Sequence, residues 1–412
     1  MQFIDPQVLE NACAVGATES ELEFILLRTA PNWGKAVDSA VKGGHLHVLE
    51  WMINRRDGRG PWACDFHFKN ESCLMVAAFH GQLETMKWLF NQKLFDERCL
   101  EKAAWYASRN GDMMMIKWLH NHAKLTYVMS EAARNGHLEM VQWIYENVET
   151  DTSFAMEEAA RNGHLDVLRW LHQRKCCPDT CTTSTMDGAV DGGHFLIANW
   201  LLENCSKGCS HNAPICAADK GNLKMLQWLH VHFNQKFSKA VMDKAAWYGH
   251  LDVVKWLHEY RTEGCSTVAM DMAAACGHLD VVQWLHDNRD EGCTRQAMDE
   301  AAANGYLDVL KWLHSNRSEG CTRTFGVCDG IIKRPIRCGH YAVVRWLLEH
   351  NLDTYRRDLI KYAIWAGNSE LVCYLGENFK QYAYDWQTWG ASEYELIEAA
   401  KQGYLKASLR ER

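Results

Sequence analysis

Histidine and cysteine are the side chains of this chain best suited to ligate a metal or to act in catalysis. The 412 residues include 20 His and 17 Cys, and two irregular groups of them stand out. The first group holds His172, Cys176, Cys177 and Cys181, and the second holds Cys205, Cys209 and His211. Thiolate and imidazole would suit zinc, but the spacing lacks the tight Cys-x-x-Cys pairs of structural zinc modules. We therefore expect no metal site.

Most of the other histidines recur at fixed places in a repeated pattern. One set follows an anchor glycine and includes His137, His164, His250 and His278. Another set follows Trp-Leu and includes His172, His230, His258, His286 and His314. Repetition in every unit is what a packing or capping role predicts, whereas a catalytic site would interrupt it. No P-loop, GxGxxG, HExxH, GxSxG or kinase motif is present, so we expect no enzyme, no cofactor and no small-molecule substrate.

The elements that position these residues follow from the spacing of glycine and tryptophan. Eleven glycines set the register: Gly44, Gly81, Gly111, Gly136, Gly163, Gly193, Gly221, Gly249, Gly277, Gly305 and Gly339. Seven residues after each of these anchor glycines stands a tryptophan, from Trp51 to Trp346. Gly367 continues the register with Tyr374 in the tryptophan position, and we count about fourteen repeats of about 28 residues.

The pattern of each repeat predicts two helices joined by a tight turn at the glycine. Alanine-rich segments precede the glycine, and apolar residues follow it at the spacing of one helical face, as in Leu251, Val253, Val254, Trp256 and Leu257. Such a hairpin cannot bury its apolar face alone, so we expect it to pack on the next hairpin, with the tryptophans in that contact. Glycine at the turn suits a helix end that needs positive φ.

The segment Ala301–Gly305 with Leu307–Leu313 resembles the AAxxG element and the second helix of the ankyrin repeat. The likeness is greatest to the short, tryptophan-rich ankyrin arrays that are common in oomycetes. Two departures are systematic: an acidic residue (Asp243, Asp271, Asp299) replaces the usual histidine of the first helix, and the finger between units is reduced to RxEGCT. The resemblance implies an all-α, helical-hairpin solenoid of about fourteen ankyrin-like repeats. It also implies a non-catalytic scaffold or adaptor that binds a partner protein on its concave face.

We expect residues 1–412 to form a single solenoid. Residues 1–30 would be a divergent N-terminal cap, residues 31–376 the repeats, and residues 377–412 an aromatic insertion with a C-terminal cap. The period breaks at 55–70, near 325–335 and at 378–395. Insertions in repeat arrays map to loops that often bind partners, and the alternative interpretation is drift or capping with no binding role.

In ankyrin-like arrays the end of the first helix lines the concave face. The residue two before each anchor glycine is the predicted exposed position, and we call this set the helix-end row: Lys42, Phe79, Arg109, Arg134, Arg161, Asp191, Asp219, Trp247, Ala275, Ala303, Arg337 and Trp365. The candidate partner-binding residues are Arg109, Arg134, Arg161, Asp191, Asp219, Trp247, Tyr248 and Trp365. Three successive arginines, expected to be unpaired along their own helices, would bind an acidic segment of a partner. The alternative is a solvated groove with no ligand.

Charge and hydropathy exclude other partner classes. A net charge of -8 without a Lys/Arg cluster argues against nucleic acid. No stretch of about 18 apolar residues is present, which argues against a membrane. The N-terminal residues lack a secretory signal, so we expect a cytoplasmic protein, with the nucleus as another location. The repeated cysteines Cys209, Cys265, Cys293 and Cys321 would lie too far apart for disulfides, which favours free thiols.

Two alternative functions stay open at this point. The family resemblance allows a host-directed virulence effector that acts by binding host proteins. An enzyme would need a site in the C-terminal aromatic insertion, around Trp386 and Trp389.

Overall fold

The computed structural model describes residues 5, 7–29, 32–54, 72–92, 98–149, 154–174, 181–322 and 331–350, with residues 359, 363, 370, 371 and 374 in addition. The insertions predicted at 55–70 and 378–395 lie outside these residues, as do Trp365, Trp386 and Trp389. The insertion near 325–335 is described from residue 331 onward.

The chain divides into two compact units, Met1–Ser210 and His211–Arg412. The helices of the first unit are α1 Gln7–Val15, α2 Glu19–Leu26, α3 Trp33–Gly43, α4 Leu46–Ile53, α5 Ser72–Phe79, α6 Leu83–Asn91, α7 Arg98–Asn110, α8 Met113–His120, α9 Val128–Arg134, α10 Leu138–Asn147, α11 Ala155–Asn162, α12 Leu165–Arg174, α13 Thr183–Gly192 and α14 Phe195–Asn204. Those of the second are α15 Asn212–Asp219, α16 Leu223–His232, α17 Lys239–Trp247, α18 Leu251–Tyr260, α19 Thr267–Ala275, α20 Leu279–Asn288, α21 Arg295–Ala303, α22 Leu307–Asn316, α23 Lys333–Cys338 and α24 Tyr341–Glu349.

Within each unit every odd-numbered helix forms a hairpin with the even-numbered helix that follows it. The odd-numbered helices also stack on one another, from α1 to α13 in the first unit and from α15 to α23 in the second. The described residues contain no strand, and their 24 α-helices form twelve of the roughly fourteen predicted hairpins. This confirms the all-α, helical-hairpin solenoid architecture. One continuous solenoid over residues 1–412 stays a prediction.

The core forms between successive hairpins because both helices of each hairpin present small or branched apolar residues to it. In α21 and α18 the fully buried residues include Ala301, Ala302, Val253 and Val254. Trp256, like most tryptophans of its set, is only half-buried, whereas Trp51 and Trp346 are buried. No described helix combines the length and the apolar character needed to cross a bilayer.

The anchor glycines form the turns that the sequence predicts. All eleven have positive φ, from 64° to 90°. A Cβ atom at Gly136 (φ +75°) would also lie 2.4 Å from Nδ1 of His164 in the next hairpin. The glycine therefore meets two demands, a left-handed backbone and space for the neighbouring imidazole.

Candidate partner-binding surface and the contacts that position it

The histidines that follow Trp-Leu pack against the tryptophan of the next hairpin. His172 meets Trp200 edge to face, with ring centroids 5.2 Å apart and planes at 89°. His258 and Trp284 repeat this contact at 5.2 Å and 85°. Edge-to-face geometry is favourable for aromatic rings. The expected packing roles of the tryptophan set and of this histidine set are confirmed.

The histidines that follow the anchor glycines donate hydrogen bonds to backbone carbonyls of residues in the helix-end row. His137 Nε2 donates to the carbonyl of Arg109 at 3.0 Å, and His164 Nε2 donates to the carbonyl of Arg134 at 2.9 Å. These carbonyls lie at the end of a first helix, where intrahelical donors are missing. These histidines thus cap the helix of the preceding hairpin, which confirms a capping role for them and holds the backbone of Arg109 and Arg134 in place.

The acidic residue that replaces the usual histidine of the first helix also links neighbouring hairpins. Asp271 accepts from the backbone N–H and the Oγ1–H of Thr294, each at 2.8 Å, and Asp243 holds Ser266 in the same way. Thr294 is the N-cap of α21, and its Oγ1 accepts from Gln296 N–H. Burial raises the pKa of Asp271, although the hydrogen bonds from Thr294 act in the opposite direction.

Arginine, histidine and cysteine meet at a third recurrent contact. Arg289 donates to Nδ1 of His258 at 3.4 Å and to Glu291 Oε2 at 3.1 Å. The hydrogen bond from Arg289 lowers the pKa of Glu291 to about 2. Burial raises the pKa of the adjacent Cys265 thiol to about 12. Cys265 is therefore a buried, protonated thiol, and the prediction of a free thiol is confirmed for it.

Two of the three successive arginines Arg109, Arg134 and Arg161 are paired within the chain. The expectation that they are unpaired along their own helices is wrong for Arg161, which pairs with Glu157, and for Arg134, whose Nε lies 3.8 Å from Glu131. Arg134 is 48% exposed and donates to both carboxylate oxygens of Glu158 on α11, each at 3.0 Å. Arg161 pairs with Asp191 of the next hairpin and with Glu157, one turn earlier on its own helix, at 2.8 Å. The stacking of α9, α11 and α13 brings these acids beside the arginines, which sequence spacing does not reveal.

Arg109 is exposed and differs from the other two. Among the described residues, no carboxylate lies within 4.0 Å of its guanidinium. Its Cζ lies 5.6 Å from the ring centroid of Trp105, one turn earlier on α7. Tyr106 meets Trp105 at 5.0 Å and Phe79 at 5.5 Å, both nearly perpendicular. We call Phe79, Trp105, Tyr106 and Arg109 the α7 patch.

In the second unit the structure brings together Asp219, Trp247 and Tyr248 of the candidate set. The rings of Trp247 and Tyr248 stack with their centroids 5.8 Å apart and their planes at 17°. Lys244 Nζ lies 4.1 Å from the Trp247 centroid and 3.8 Å from an oxygen of Asp219. The charge of Asp219 raises the pKa of Tyr248, which is 46% exposed.

The rest of the helix-end row is mixed. Lys42 and Arg337 are exposed as expected, and Phe79 is 48% exposed, but Ala303 is buried. Trp365 lies outside the described residues. Sequence reasoning missed Trp105, Tyr106 and Lys244 as parts of the surface. The string Ala-Ala-Trp-Tyr, which occurs at 103–106 and again at 245–248, is the signal that could have found them.

The two irregular cysteine groups are joined by the fold. Cys181 from the first group and Cys205 from the second form a disulfide with Cα atoms 5.9 Å apart. His172 Nδ1 lies 3.6 Å from the Sγ of Cys181. The expectation of free thiols is therefore wrong for this pair, because Cys181 precedes α13 and Cys205 follows α14, and the hairpin of these two helices brings its ends together. Cys176 and Cys177 lie outside the described residues.

Comparison with known families identifies the repeats. Residues 104–182 match a family model described as ankyrin repeats (3 copies), and residues 239–286 match one described as ankyrin repeats (many copies). A search of curated proteins found no match.

Proposed function

This chain is an ankyrin-repeat protein, with matched repeats in both units, and from that premise we propose that it is a non-catalytic scaffold or adaptor that binds a partner protein through the helix-end row. Ankyrin repeats generally mediate protein–protein interaction, and such arrays present an extended surface built by stacking. In the first unit the proposed contact is centred on the α7 patch. The observation that carries this choice is Arg109, an exposed guanidinium with no carboxylate beside it in the described part of the chain.

The chemistry of the α7 patch selects the kind of partner segment. The guanidinium of Arg109 offers planar, paired N–H donors that suit a carboxylate. The half-exposed rings of Phe79 and Tyr106 provide apolar area next to it. Aromatic and arginine side chains are also enriched among the residues that dominate binding energy. The partner segment is therefore one with an acidic residue beside an aromatic or aliphatic one.

Arg134 and Arg161 contribute to the proposed surface in a different way from Arg109. Their own carboxylates hold both guanidinium groups in place, and Arg134 uses its Nε and Nη2 donors for Glu158, which leaves the donors on Nη1 outside this pair. A fixed donor loses less conformational entropy on binding than a mobile one. Because the neighbouring acids offset their charge, we expect each to add less affinity than Arg109. Asp191 belongs to the surface as the partner of Arg161.

The second unit offers a separate contact of the same kind. Trp247 and Tyr248 present stacked rings, and Asp219 places a negative charge beside Lys244. A partner with a basic or amide side chain next to an aliphatic one fits this contact. Trp365 stays a prediction from its place in the row.

The test uses the full chain as bait for a displayed library of random dodecapeptides, because the natural partner is unknown. We expect enrichment of peptides that combine Asp or Glu with an aromatic or aliphatic residue. Binding of a selected peptide should weaken at least tenfold in Arg109→Ala and in Phe79→Ala. Higher salt should weaken binding to the parent more than binding to Arg109→Ala, because one charge pair has been removed.

Arg337→Ala is the matched control, since Arg337 is an exposed cation at the same row position on a hairpin of the other unit. It should bind the selected peptide as the parent does. Arg109→Ala should keep the melting temperature of the parent, whereas Arg161→Ala should lose about 1 kcal/mol of stability through its lost pairs with Asp191 and Glu157. A library that yields no acidic motif, or a peptide that binds Arg109→Ala as well as the parent, would contradict the proposal.

A further inference from the structure

One position in the repeat holds a cation between neighbouring hairpins. In the second unit, Nδ1 of the histidine after Trp-Leu faces an arginine from the next hairpin. The distances are 3.1 Å for His230 with Arg261, 3.4 Å for His258 with Arg289, and 3.2 Å for His286 with Arg317. Each arginine follows the tryptophan of its own repeat by five residues and pairs with the glutamate two residues later.

In one repeat of the first unit, the repeat of Trp200, a cysteine stands at the position of this arginine. Cys205 follows Trp200 by five residues, as Arg289 follows Trp284, and it reaches His172 of the preceding repeat. Lys207 stands where the second unit has the glutamate. This contact therefore lacks both the arginine and its glutamate partner, and it gains a cysteine sulfur.

The remaining partners at this place are metal-binding groups. The ligand atoms of His172, Cys181 and Cys205 all lie within 4.8 Å of one another. The 3.6 Å separation of His172 Nδ1 and Cys181 Sγ is the distance expected, about 3.6 Å, for nitrogen and sulfur ligands on one tetrahedral zinc ion. Trp200 packs against the His172 ring and fixes its direction. Cys181 is buried and the other two are half-buried, so a small ion can enter from solvent.

We propose that His172, Cys181 and Cys205 form a redox-controlled zinc site, in which Zn²⁺ takes the place that an arginine occupies in three repeats of the second unit. In the disulfide form the two sulfur atoms are bonded to each other and bind no metal. A small dithiol reduces the bond by thiol–disulfide exchange: two electrons pass to the two sulfur atoms, each gains a proton, and the dithiol becomes a disulfide. Zn²⁺ then binds both thiolates and His172, and two protons are released.

Charge balance and ligand type favour zinc over a hard cation. Two thiolates neutralise Zn²⁺ without the glutamate that accompanies arginine elsewhere, so Lys207 is tolerated at that position. Sulfur and imidazole ligands select zinc over magnesium or calcium, which prefer oxygen. With three protein ligands, the fourth tetrahedral position is open to water. In the oxidised state the Cys181–Cys205 disulfide crosslinks the chain at this place. In the reduced state a zinc ion bound to both cysteines and to His172 takes over that role.

The experiment compares the reduced, metal-free full chain with Cys205→Arg, which introduces the arginine found at this position in three repeats of the second unit and is expected to fold. Zinc is titrated against a chromophoric chelator, and Co²⁺ serves as a spectroscopic probe. The parent should bind one more equivalent of zinc than Cys205→Arg. It should also show sulfur-to-cobalt charge transfer with the intense visible bands of a tetrahedral site. Its melting temperature should rise with zinc, and that of Cys205→Arg should not.

Two further variants separate this site from other cysteines. Cys338→Ser changes an exposed thiol on α23 and should bind as the parent does. His172→Asn should weaken zinc binding at least tenfold while leaving the disulfide able to form. Equal zinc binding by the parent and Cys205→Arg, no zinc binding by the reduced parent, or a Cys181–Cys205 bond that persists in excess dithiol under native conditions would each overturn the proposal.

Discussion

Single side chains in this protein mostly join one repeat to the next. Arg289 contacts His258 and Glu291 across a turn between hairpins, and Asp271 ties α19 to the N-cap of α21. The same logic explains why Arg134 and Arg161 are paired with acids of the following helices. Two of the three arginines that look like a free basic stripe in the sequence are therefore neutralised by acids of the same chain. Arg109 is the arginine most available to a partner.

Glu291 should make stability depend on pH in a defined window. Its pKa falls from 4.5 to about 2 in the folded chain, chiefly through the hydrogen bond from Arg289. A lowered folded-state pKa stabilises the protein above the unfolded value and loses this effect as pH falls through the folded value. The stability difference between the parent and Glu291→Gln should therefore be full above about pH 4.5 and shrink toward pH 2. Urea unfolding at several pH values measures it.

Glu259→Gln is the control for that measurement, because Glu259 is exposed on α18 of the same unit. It should change stability little at any pH. A Glu291→Gln difference that stays constant from pH 7 to pH 3 would show that the Arg289 contact does not set the acid response.

Each hairpin depends on one backbone conformation at its anchor glycine. Positive φ costs an L-residue about 1–2 kcal/mol, and at Gly136 the added Cβ would also meet His164. His164 cannot move aside without breaking its hydrogen bond to the Arg134 carbonyl. The hairpin turn and the capping of the preceding helix are thus coupled through one position.

Gly136→Ala should destabilise the protein by about 2–4 kcal/mol, because backbone strain and displacement of His164 add together. Gly320→Ala provides the matched control: its φ is +68°, and a Cβ added there would meet no atom of another described residue within 4 Å beyond its chain neighbours. It should show the strain alone, about 1–2 kcal/mol. Chemical denaturation compares the two variants. Equal losses would mean that the imidazole contact contributes nothing.

At the scale of the whole molecule, stability in a repeat array is approximately a sum over hairpins and their nearest-neighbour contacts. The described contacts fit this expectation, since the odd-numbered helices within each unit touch their immediate successors. A local defect should therefore loosen adjacent hairpins before distant ones. The two matched family segments lie in different units, so each provides an internal reference for the other.

Hydrogen exchange in Gly136→Ala should test this locality. Peptides from α9 to α12 should exchange faster than in the parent, because the turn and its cap lie there. Peptides from α19 to α22 in the other unit should exchange as in the parent. Uniform acceleration along the chain would instead indicate a single cooperative fold.

The repeat, the helical hairpins and the ankyrin resemblance can all be predicted from the amino-acid sequence. These depend on local properties: helical spacing of apolar residues, and glycine where φ is positive, as at Gly136. Tertiary structure alone decided the pairing of Arg134 with Glu158 and of Cys181 with Cys205. Both pairs are 24 residues apart: Arg134 and Glu158 lie on the first helices of successive hairpins, whereas Cys181 and Cys205 lie just before and just after the hairpin of α13 and α14. Whether such side chains meet depends on how one hairpin stacks on the next and on how the loops that flank a hairpin fold, and sequence spacing specifies neither.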